Sequence, residues 1–483
     1  MNSILHQDAN ARVTLRDYDP ANFRLFALTC MQVDADKQKC LEALVGSVQG
    51  LGALARPEQL EPIADLIIQS MTGPWRSFHT PQHIFQVGEG GDEVEVISAL
   101  FHDMVYVQVD GGINLNMMRS IAPFIREVDQ QIILADDVSL LADSAFKLSL
   151  SLFGFQLGQK LHPMAGQNEF LSALLAAKVL EGILPLSVIA QVVACIEATI
   201  PFRAPDASGK TCSDTLFESL RRVSQEHGFG WSDEETHALV RRAVRLSNRD
   251  VENFASEQAT HFLDNTWNLI PETNHDLRRA SHYTAKGYRV SLQKMEGFLN
   301  FLKAEVVFRQ YGSEPSDEHF SLLLSRARRN LEIARLYLGM KLTSIAVLEA
   351  LSLRIGREVS VSMMMGERPL EGQPSAGLES FLPPVEQPVA SVGEVEEAVL
   401  TILEQGRTVA SDYDVRNSPI ATFMTKSVGF SVMRQLLVMA RAFFKGEVSA
   451  EDFLASAPKT LIDSLVDAFV RLSDVRRESL LGN

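Results

Sequence analysis

The sequence is poor in cysteine and in positive charge. Four cysteines in 483 residues, with no C-x-x-C pair, exclude a disulfide framework, so we expect buried thiols in a reducing compartment. The formal net charge of −16 argues against broad, sequence-independent nucleic-acid binding, which requires a positive surface. A small anionic substrate remains compatible with this charge, because a single positive centre can bind it.

Long hydrophobic runs are also lacking. The most apolar run, residues 182–196, is interrupted by Pro185, Ser187 and Gln191 and is shorter than the about 20 residues of a membrane-spanning helix. The N-terminus has no basic segment followed by an apolar one, so we see no signal peptide. We therefore expect a cytoplasmic protein that does not bind membranes.

Alternating segments typical of strands are nearly absent, and apolar residues recur at helical spacing along most of the chain. The sequence therefore predicts an all-α fold. The only strand candidate is residues 105–109, which could equally be a helix end that runs into a turn. The apolar run 132–134 is expected to belong to one of two or three short helices within an insertion at about 110–165.

Prolines and glycines interrupt the helical pattern once, at about residues 359–392, which predicts a linker or irregular connection. The predicted organisation has five parts. They are an N-terminal extension (1–34), a helical domain with the insertion (35–260), a helical extension (261–358), the connection (359–392) and a C-terminal domain of four or so helices (393–483).

Three histidines and an aspartate stand in otherwise apolar segments: His79, His83, His102 and Asp103. The pair Thr80-Pro81 predicts a helix start, because Thr is a preferred N-cap and Pro is tolerated at the first helical position. His83 then lies in the first turn and His79 just before it, which separates a candidate ligand from a candidate proton donor. His102 and Asp103 flank the apolar stripe of the next helix and suit a borderline divalent cation.

A further carboxylate, Asp250, falls on the apolar face of a helix that a capping box opens at residues 232–235. An unpaired ionised carboxylate there would cost several kcal/mol or give up its charge. A bound cation is one remedy; a helix cap or a pair with a nearby arginine is the alternative. Arg241, Arg245 and Arg249 project largely away from Asp250, which favours a solvated face over a phosphate clamp.

The order His83, His102-Asp103, Asp250 resembles the H…HD…D pattern of the HD superfamily of metal-dependent phosphohydrolases. Residues 76–83 (RSFHTPQH) match the R-x-[YF]-H-x-x-x-H motif of a predicted HD phosphohydrolase group, and residues 99–106 (ALFHDMVY) match its A-x-[FW]-H-D-x-V-Y motif. Residues 168–173 (NEFLSA) and 196–200 (IEATI) match two further motifs of that group, N-E-x-x-S-A and I-x-A-T-I.

The likeness covers about residues 35–260. The segment between Tyr106 and Asn168 is much longer than in compact members of the group, which implies a differently walled substrate pocket.

The resemblance implies an HD-type helical bundle at 35–260 that binds one divalent metal ion (Mn, Mg, Ni, Fe or Zn) through His83, His102, Asp103 and Asp250. It implies a phosphohydrolase or phosphodiesterase that hydrolyses a nucleotide or other small phosphate ester with a metal-activated water. The implied catalytic residues are His79, Asp103 and Glu169, and the implied substrate-binding residues are Arg76 and Thr199. Two alternatives stay open: Glu169 could serve the helix dipole instead, and Arg76, beside Trp75, could be structural.

Two other functions stay open. One is a non-catalytic HD-fold signalling or scaffold protein that binds a nucleotide or a protein partner, and the other is an HD-type iron oxygenase. The complete ligand set favours the enzyme. The few histidines between the HD doublet and Asp250 (His162, His227 and His237) favour a one-metal site and count against the oxygenase. The C-terminal helices are the candidate module for regulation or homo-oligomerisation.

Overall fold

The computed structural model describes residues 20–278, 285–354, 377–411 and 413–481. Over these residues the predicted all-α fold is confirmed, with eighteen α-helices and one two-stranded antiparallel sheet. The helices are α1 (Pro20–Gly50), α2 (Pro57–Met71), α3 (Pro81–Gly88), α4 (Glu93–Phe101), α5 (Val107–Asp110), α6 (Leu115–Ile121), α7 (Ser144–Phe153), α8 (Gln167–Leu180), α9 (Leu186–Ala198), α10 (Cys212–His227), α11 (Asp233–Asp250), α12 (Ala259–Thr273), α13 (Ala285–Phe301), α14 (Asp317–Arg354), α15 (Glu394–Gln405), α16 (Pro419–Phe444), α17 (Ala450–Ala455) and α18 (Lys459–Leu481). The strands are β1 (Ile125–Val128) and β2 (Gln131–Leu134).

The helices α1 to α11 enclose a first hydrophobic core, which we call the first lobe; its buried residues run from Cys40 to Leu246. Helix α2 shows why these segments are helical: Leu60, Ile63 and Ile67 recur every three or four residues and are all buried. Helices α4, α8 and α9 pack together at its centre. The predicted boundary at residue 34 falls inside α1.

A second hydrophobic core contains buried residues from Phe254 to Leu472, and we call it the second lobe. Its central helix is α14, which packs against α13, α15 and α16. By length and composition α14 is also the one described helix able to cross a membrane. However, 89% of its apolar 18-residue stretch is buried inside the protein. The described parts of the predicted extension and C-terminal domain thus share one core, and α15 to α18 are the four helices expected after the connection.

Residues 1–19 of the N-terminal extension, residues 355–358 of the predicted helical extension and residues 359–376 of the predicted connection lie outside the described residues. The described remainder of the connection contains a short 3₁₀ turn, Leu378–Phe381. Three cysteines are free thiols: Cys40 and Cys195 are buried, and Cys212 is half-buried.

The insertion differs from the expectation in one element. Residues 132–134 belong to strand β2 rather than to a helix, and β2 pairs with β1 in a hairpin. The turn residues Asp129 and Gln130 have φ of 51° and 61°, the left-handed pair that joins two strands through a two-residue turn. The run of β-branched residues in β2 was too short for its periodicity to distinguish strand from helix. The strand candidate at 105–109 resolves as a helical turn, since Val107–Asp110 forms α5.

Candidate metal centre

The four predicted metal ligands come from three helices of the first lobe. His83 is the third residue of α3, which begins at Pro81 as predicted. His102 and Asp103 directly follow α4, which ends earlier than its apolar stripe indicated. Asp250 is the last residue of α11, a helix opened by the predicted capping box. Helix ends therefore deliver all four side chains to one place.

One ligand atom from each of these four side chains lies within 4.8 Å of the others. His102 Nε2 is 2.9 Å from Asp103 Oδ2 and 3.3 Å from Asp250 Oδ1, and His83 Nε2 is 3.4 Å and 3.2 Å from the same two oxygens. Metal–ligand distances of about 2.0–2.2 Å for histidine and carboxylate place opposite ligands about 4 Å apart. A single divalent ion therefore fits among these atoms.

The hydrogen bonds of the histidines also fit a cation. Nδ1 of His102 lies 2.8 Å from the carbonyl oxygen of Ala99. Since a carbonyl only accepts, Nδ1 carries a proton, and in the neutral ring Nε2 then keeps the lone pair that a metal needs. Nε2 of His83 and Nε2 of His102 are buried, and although the aspartate oxygens lie 2.9–3.4 Å away, neither atom makes a well-aligned hydrogen bond with them. Buried polar atoms without partners are rare, and a shared cation would satisfy both.

The two carboxylates and two imidazoles shift one another's ionisation. Burial by itself would lower the pKa of His83 and of His102, but the adjacent Asp103 and Asp250 raise both pKa values, that of His102 well above its ordinary value. Burial would raise the pKa of each aspartate, but the histidines hold the pKa of Asp103 well below its usual range and that of Asp250 at about 2. Two half-buried carboxylates thus stay ionised beside the two imidazoles, an arrangement that favours a bound cation.

His79 lies beside this group, with Nε2 3.9 Å from Asp103 Oδ2. Its Nδ1 is 2.5 Å from Oε2 of Glu272, a buried residue of α12 in the second lobe. The other oxygen of Glu272 accepts hydrogen bonds from the backbone N–H groups of Ser77, Phe78 and His79. Burial would raise the pKa of Glu272, but His79 and these N–H groups lower it to about 2. Glu272 therefore orients the His79 ring and holds the segment that precedes α3.

Sequence reasoning missed Glu272, because it lies beyond residue 260, where the resemblance ends. A signal was present. Glu272 follows Ile270 and Pro271 in a helix with an apolar stripe, and all three are buried. Like Asp250, Glu272 is a carboxylate on the core face of a helix, and the same pattern could have identified it.

The guanidinium group of Arg76 makes its hydrogen bonds within the first lobe. Its Nε and Nη2 donate to the carboxylate of Asp110, and its Nη1 and Nη2 donate to the carbonyls of Asp103 and Met104. Its side chain is completely buried. These contacts brace the segment that carries Asp103, as the structural alternative supposed, and they give no support to a phosphate contact.

Thr199, at the end of α9, and Glu169, in α8, are the two remaining predicted site residues. The hydroxyl of Thr199 donates to the carbonyl of Ile196 within its own helix end, so its predicted substrate contact stays a prediction. Glu169 lies in the first turn of α8, and its Oε2 is buried without a hydrogen-bond partner. Burial, with a contribution from Asp103 and Asp250, raises the pKa of Glu169 to about 7.

Two of the three arginines of α11 that we expected on a solvated face are paired instead with a buried acid, whereas Arg241 lies 2.9 Å from the exposed Glu234. Arg245 and Arg249 each lie 3.2 Å from Oε1 of Glu95, which is buried on α4. Arg242 lies 2.6 Å from Asp92 at the start of α4. The expectation failed because it considered α11 alone, without the acids of the facing helix. These pairs hold together the two helices whose C-terminal ends carry the candidate ligands.

The histidines considered for a second metal ion lie elsewhere. His237 Nδ1 is 2.7 Å from the hydroxyl of Tyr311, His227 stacks on Phe229, and His162 is exposed. None of the three belongs to the four-residue group, which is the one group able to hold a metal ion among the described residues.

No protein family model, no curated protein and no solved structure matches this chain. The structure by itself shows an all-α fold in which four side chains form a group that could bind a metal ion: His83, His102, Asp103 and Asp250.

Proposed function

We propose that this protein is an HD-type metal-dependent phosphohydrolase that acts on a nucleotide or another small phosphate ester. The observation that supports it most is the convergence of two histidines and two aspartates from three helices, with the buried Nε2 atoms of His83 and His102 lacking well-aligned hydrogen bonds. The motifs around these residues resemble those of a predicted HD phosphohydrolase group. One divalent ion is the expected cofactor.

A divalent ion in such a site supplies a Lewis acid that lowers the pKa of a water and polarises a phosphoryl oxygen. The residues of the chain supply orientation and proton transfer. His102 presents Nε2 because its Nδ1 donates to Ala99, and His79 presents Nε2 because its Nδ1 donates to Glu272. Protonated His79 would then donate to the leaving oxygen of the ester. Glu169, with a pKa of about 7, can exchange a proton near neutrality.

The test combines metal analysis with a screen for phosphatase and phosphodiesterase activity after reconstitution with Mn, Mg, Ni, Fe and Zn. We expect about one divalent ion per wild-type chain and hydrolysis of at least one phosphate ester. The double variant His102→Ala/Asp103→Ala should lose both. The control His162→Ala removes an exposed histidine outside the group and should keep both.

Two outcomes would count against the proposal in different ways. A wild-type chain that stays free of metal with every ion would remove the catalytic site itself. Metal binding through His102 and Asp103 without turnover of any phosphate ester would favour the non-catalytic HD-fold alternative.

A further inference from the structure

A cleft of about 800 Å³ opens beside the metal group, between the two lobes. One wall comes from α3 and the end of α11 and includes His83 and Asp250, and the other comes from residues 252–257 and α12. Its volume falls within the about 300–1,000 Å³ of pockets that enclose small ligands. A ligand with one end at the metal group can therefore place its remainder between the lobes.

Helix α12 turns a single polar face to this cleft. His261, Asp264, Asn265 and Asn268 line it, and their spacing of three, one and three residues places them on one side of a helix. The other side of α12, which includes Trp267, is buried in the second core. One turn beyond Asn268 the same face carries Glu272, which holds His79. The face that contacts the catalytic histidine thus continues into the cleft.

Several uncharged hydrogen-bonding groups line the cleft beside its charged residues. The side-chain amides of Gln86, Asn253, Asn265 and Asn268 all line the cleft, and none of them bonds to another residue in the part of the chain that the structure describes. Oδ1 of Asn253 is buried as well as unpartnered. A side-chain amide offers both donors and an acceptor, and a buried polar atom without a partner is costly. These groups match a ligand that itself presents donors and acceptors.

The charges of the lining argue against a second phosphate. Two arginines line the cleft, and each is already paired: Arg326 Nη2 lies 2.7 Å from Glu257, and Arg249 lies 3.2 Å from Glu95. The carboxylate of Asp264 adds negative charge to the same wall. Because like charges brought together cost several kcal/mol, a phosphate other than the one at the metal group would be repelled.

We propose that this cleft binds the nucleoside part of a nucleoside monophosphate, whose single phosphate lies at the metal group. Nucleobase edges present adjacent donors and acceptors, which Asn and Gln side chains pair with in a bidentate manner. The inference rests on the proposed hydrolase and narrows its substrates: monophosphates are preferred to diphosphates and triphosphates of the same nucleoside.

The first test measures kcat/KM for the mono-, di- and triphosphates of each common nucleoside, with p-nitrophenyl phosphate as a substrate without a nucleoside. We expect kcat/KM to be at least about ten-fold higher for a monophosphate than for its triphosphate. In Asn265→Ala/Asn268→Ala, KM for that monophosphate should rise about ten-fold relative to KM for p-nitrophenyl phosphate, because about two hydrogen bonds are lost. Gln49→Ala, an exposed amide on α1, is the matched control and should change neither ratio.

A second measurement separates this inference from the hydrolase proposal. Isothermal titration of the free nucleosides, which carry no phosphate, reports on the cleft without turnover. Nucleoside binding that weakens in Asn265→Ala/Asn268→Ala supports the cleft even if no ester is hydrolysed. Hydrolysis that prefers triphosphates, or an unchanged KM ratio in the double variant, would overturn the cleft assignment while the hydrolase stands.

Discussion

The geometry around His79 depends on a single carboxylate from the other lobe. Glu272 contacts the His79 ring with one oxygen and three backbone N–H groups with the other. An amide in its place could keep the acceptor for the backbone, but it could not balance a proton on His79 with negative charge. The orientation of the site and its proton chemistry can therefore be separated by a substitution that preserves shape.

We expect Glu272→Gln to lower kcat by about 10- to 100-fold, the usual effect of losing a group that orients a functional histidine. Bound metal should stay at the wild-type level, because Glu272 does not contact His83, His102, Asp103 or Asp250. Steady-state kinetics and metal analysis of the same preparation provide the check. Glu58→Gln, which changes an exposed acid of α2 outside the cleft, is the control. Equal kcat in the two variants would show that Glu272 does not act through His79.

The free energy of unfolding should depend on pH through the same residue. Burial would raise the pKa of Glu272, but His79 and the backbone N–H groups outweigh burial and lower the pKa from 4.5 to about 2. The folded state therefore favours the carboxylate. Its contribution is complete above pH 4.5 and is lost as the pH falls towards 2. The difference in unfolding free energy between wild type and Glu272→Gln should therefore shrink over that range in denaturant titrations. A constant difference would contradict the assignment.

Among helices, the sequence predicted what is local. Thr80-Pro81 marked the start of α3, and Ser232 with Glu235 marked the start of α11, because capping involves only residues of the same turn. The position of Asp250 on an apolar face also led to a ligand candidate now found within 3.3 Å of both ring nitrogens.

What the sequence did not predict depends on partners distant in the chain. Glu272 is 193 residues from His79, and Glu95 is 150 residues from Arg245. Neither pairing can be read from the periodicity of a single helix, because its two residues lie on different elements. The hairpin of β1 and β2 escaped for another reason, since four-residue strands are too short for alternation to be recognised.

The pairing of α4 with α11 can be tested by changing Glu95, the acid that both arginines contact. Glu95→Gln keeps the capping hydrogen bond to the backbone of Asp92 but loses the charge that Arg245 and Arg249 bind. Because the arginines are partly exposed, we expect a loss of about 1–2 kcal/mol in unfolding free energy and weaker metal binding. Chemical denaturation and metal titration measure the two effects.

Glu93→Gln changes an exposed acid two residues before Glu95 on α4. It serves as the control and should change stability by less than about 0.5 kcal/mol. If both variants lose the same stability, the Glu95 pairs do not hold α4 to α11. If Glu95→Gln loses stability but binds metal normally, the ends of the two helices are positioned by packing alone.

Helix α12 links the two hydrophobic cores of the molecule. Its polar face places Glu272 beside the candidate metal site. Its apolar face places Trp267 in the second lobe, where the indole N–H donates to Asp414 at 2.7 Å. The same carboxylate oxygen accepts a hydrogen bond from the buried Lys341 at 2.8 Å and lies 3.6 Å from the buried Arg407. The position of α12 therefore depends on a buried charge cluster in the second lobe.

Replacing Asp414 by Asn should destabilise the second lobe and, through α12, the site. The substitution leaves Lys341 and Arg407 buried without a counter-charge, and breaking a buried ion pair in this way costs about 3–5 kcal/mol. Thermal unfolding should show the loss, and hydrolysis should fail at the same lowered temperature because Glu272 moves with α12. Asp463→Asn, which breaks an exposed pair with Lys459, should cost less than about 1 kcal/mol. Hydrolysis that survives above the unfolding temperature of the second lobe would show that the first lobe positions His79 without α12.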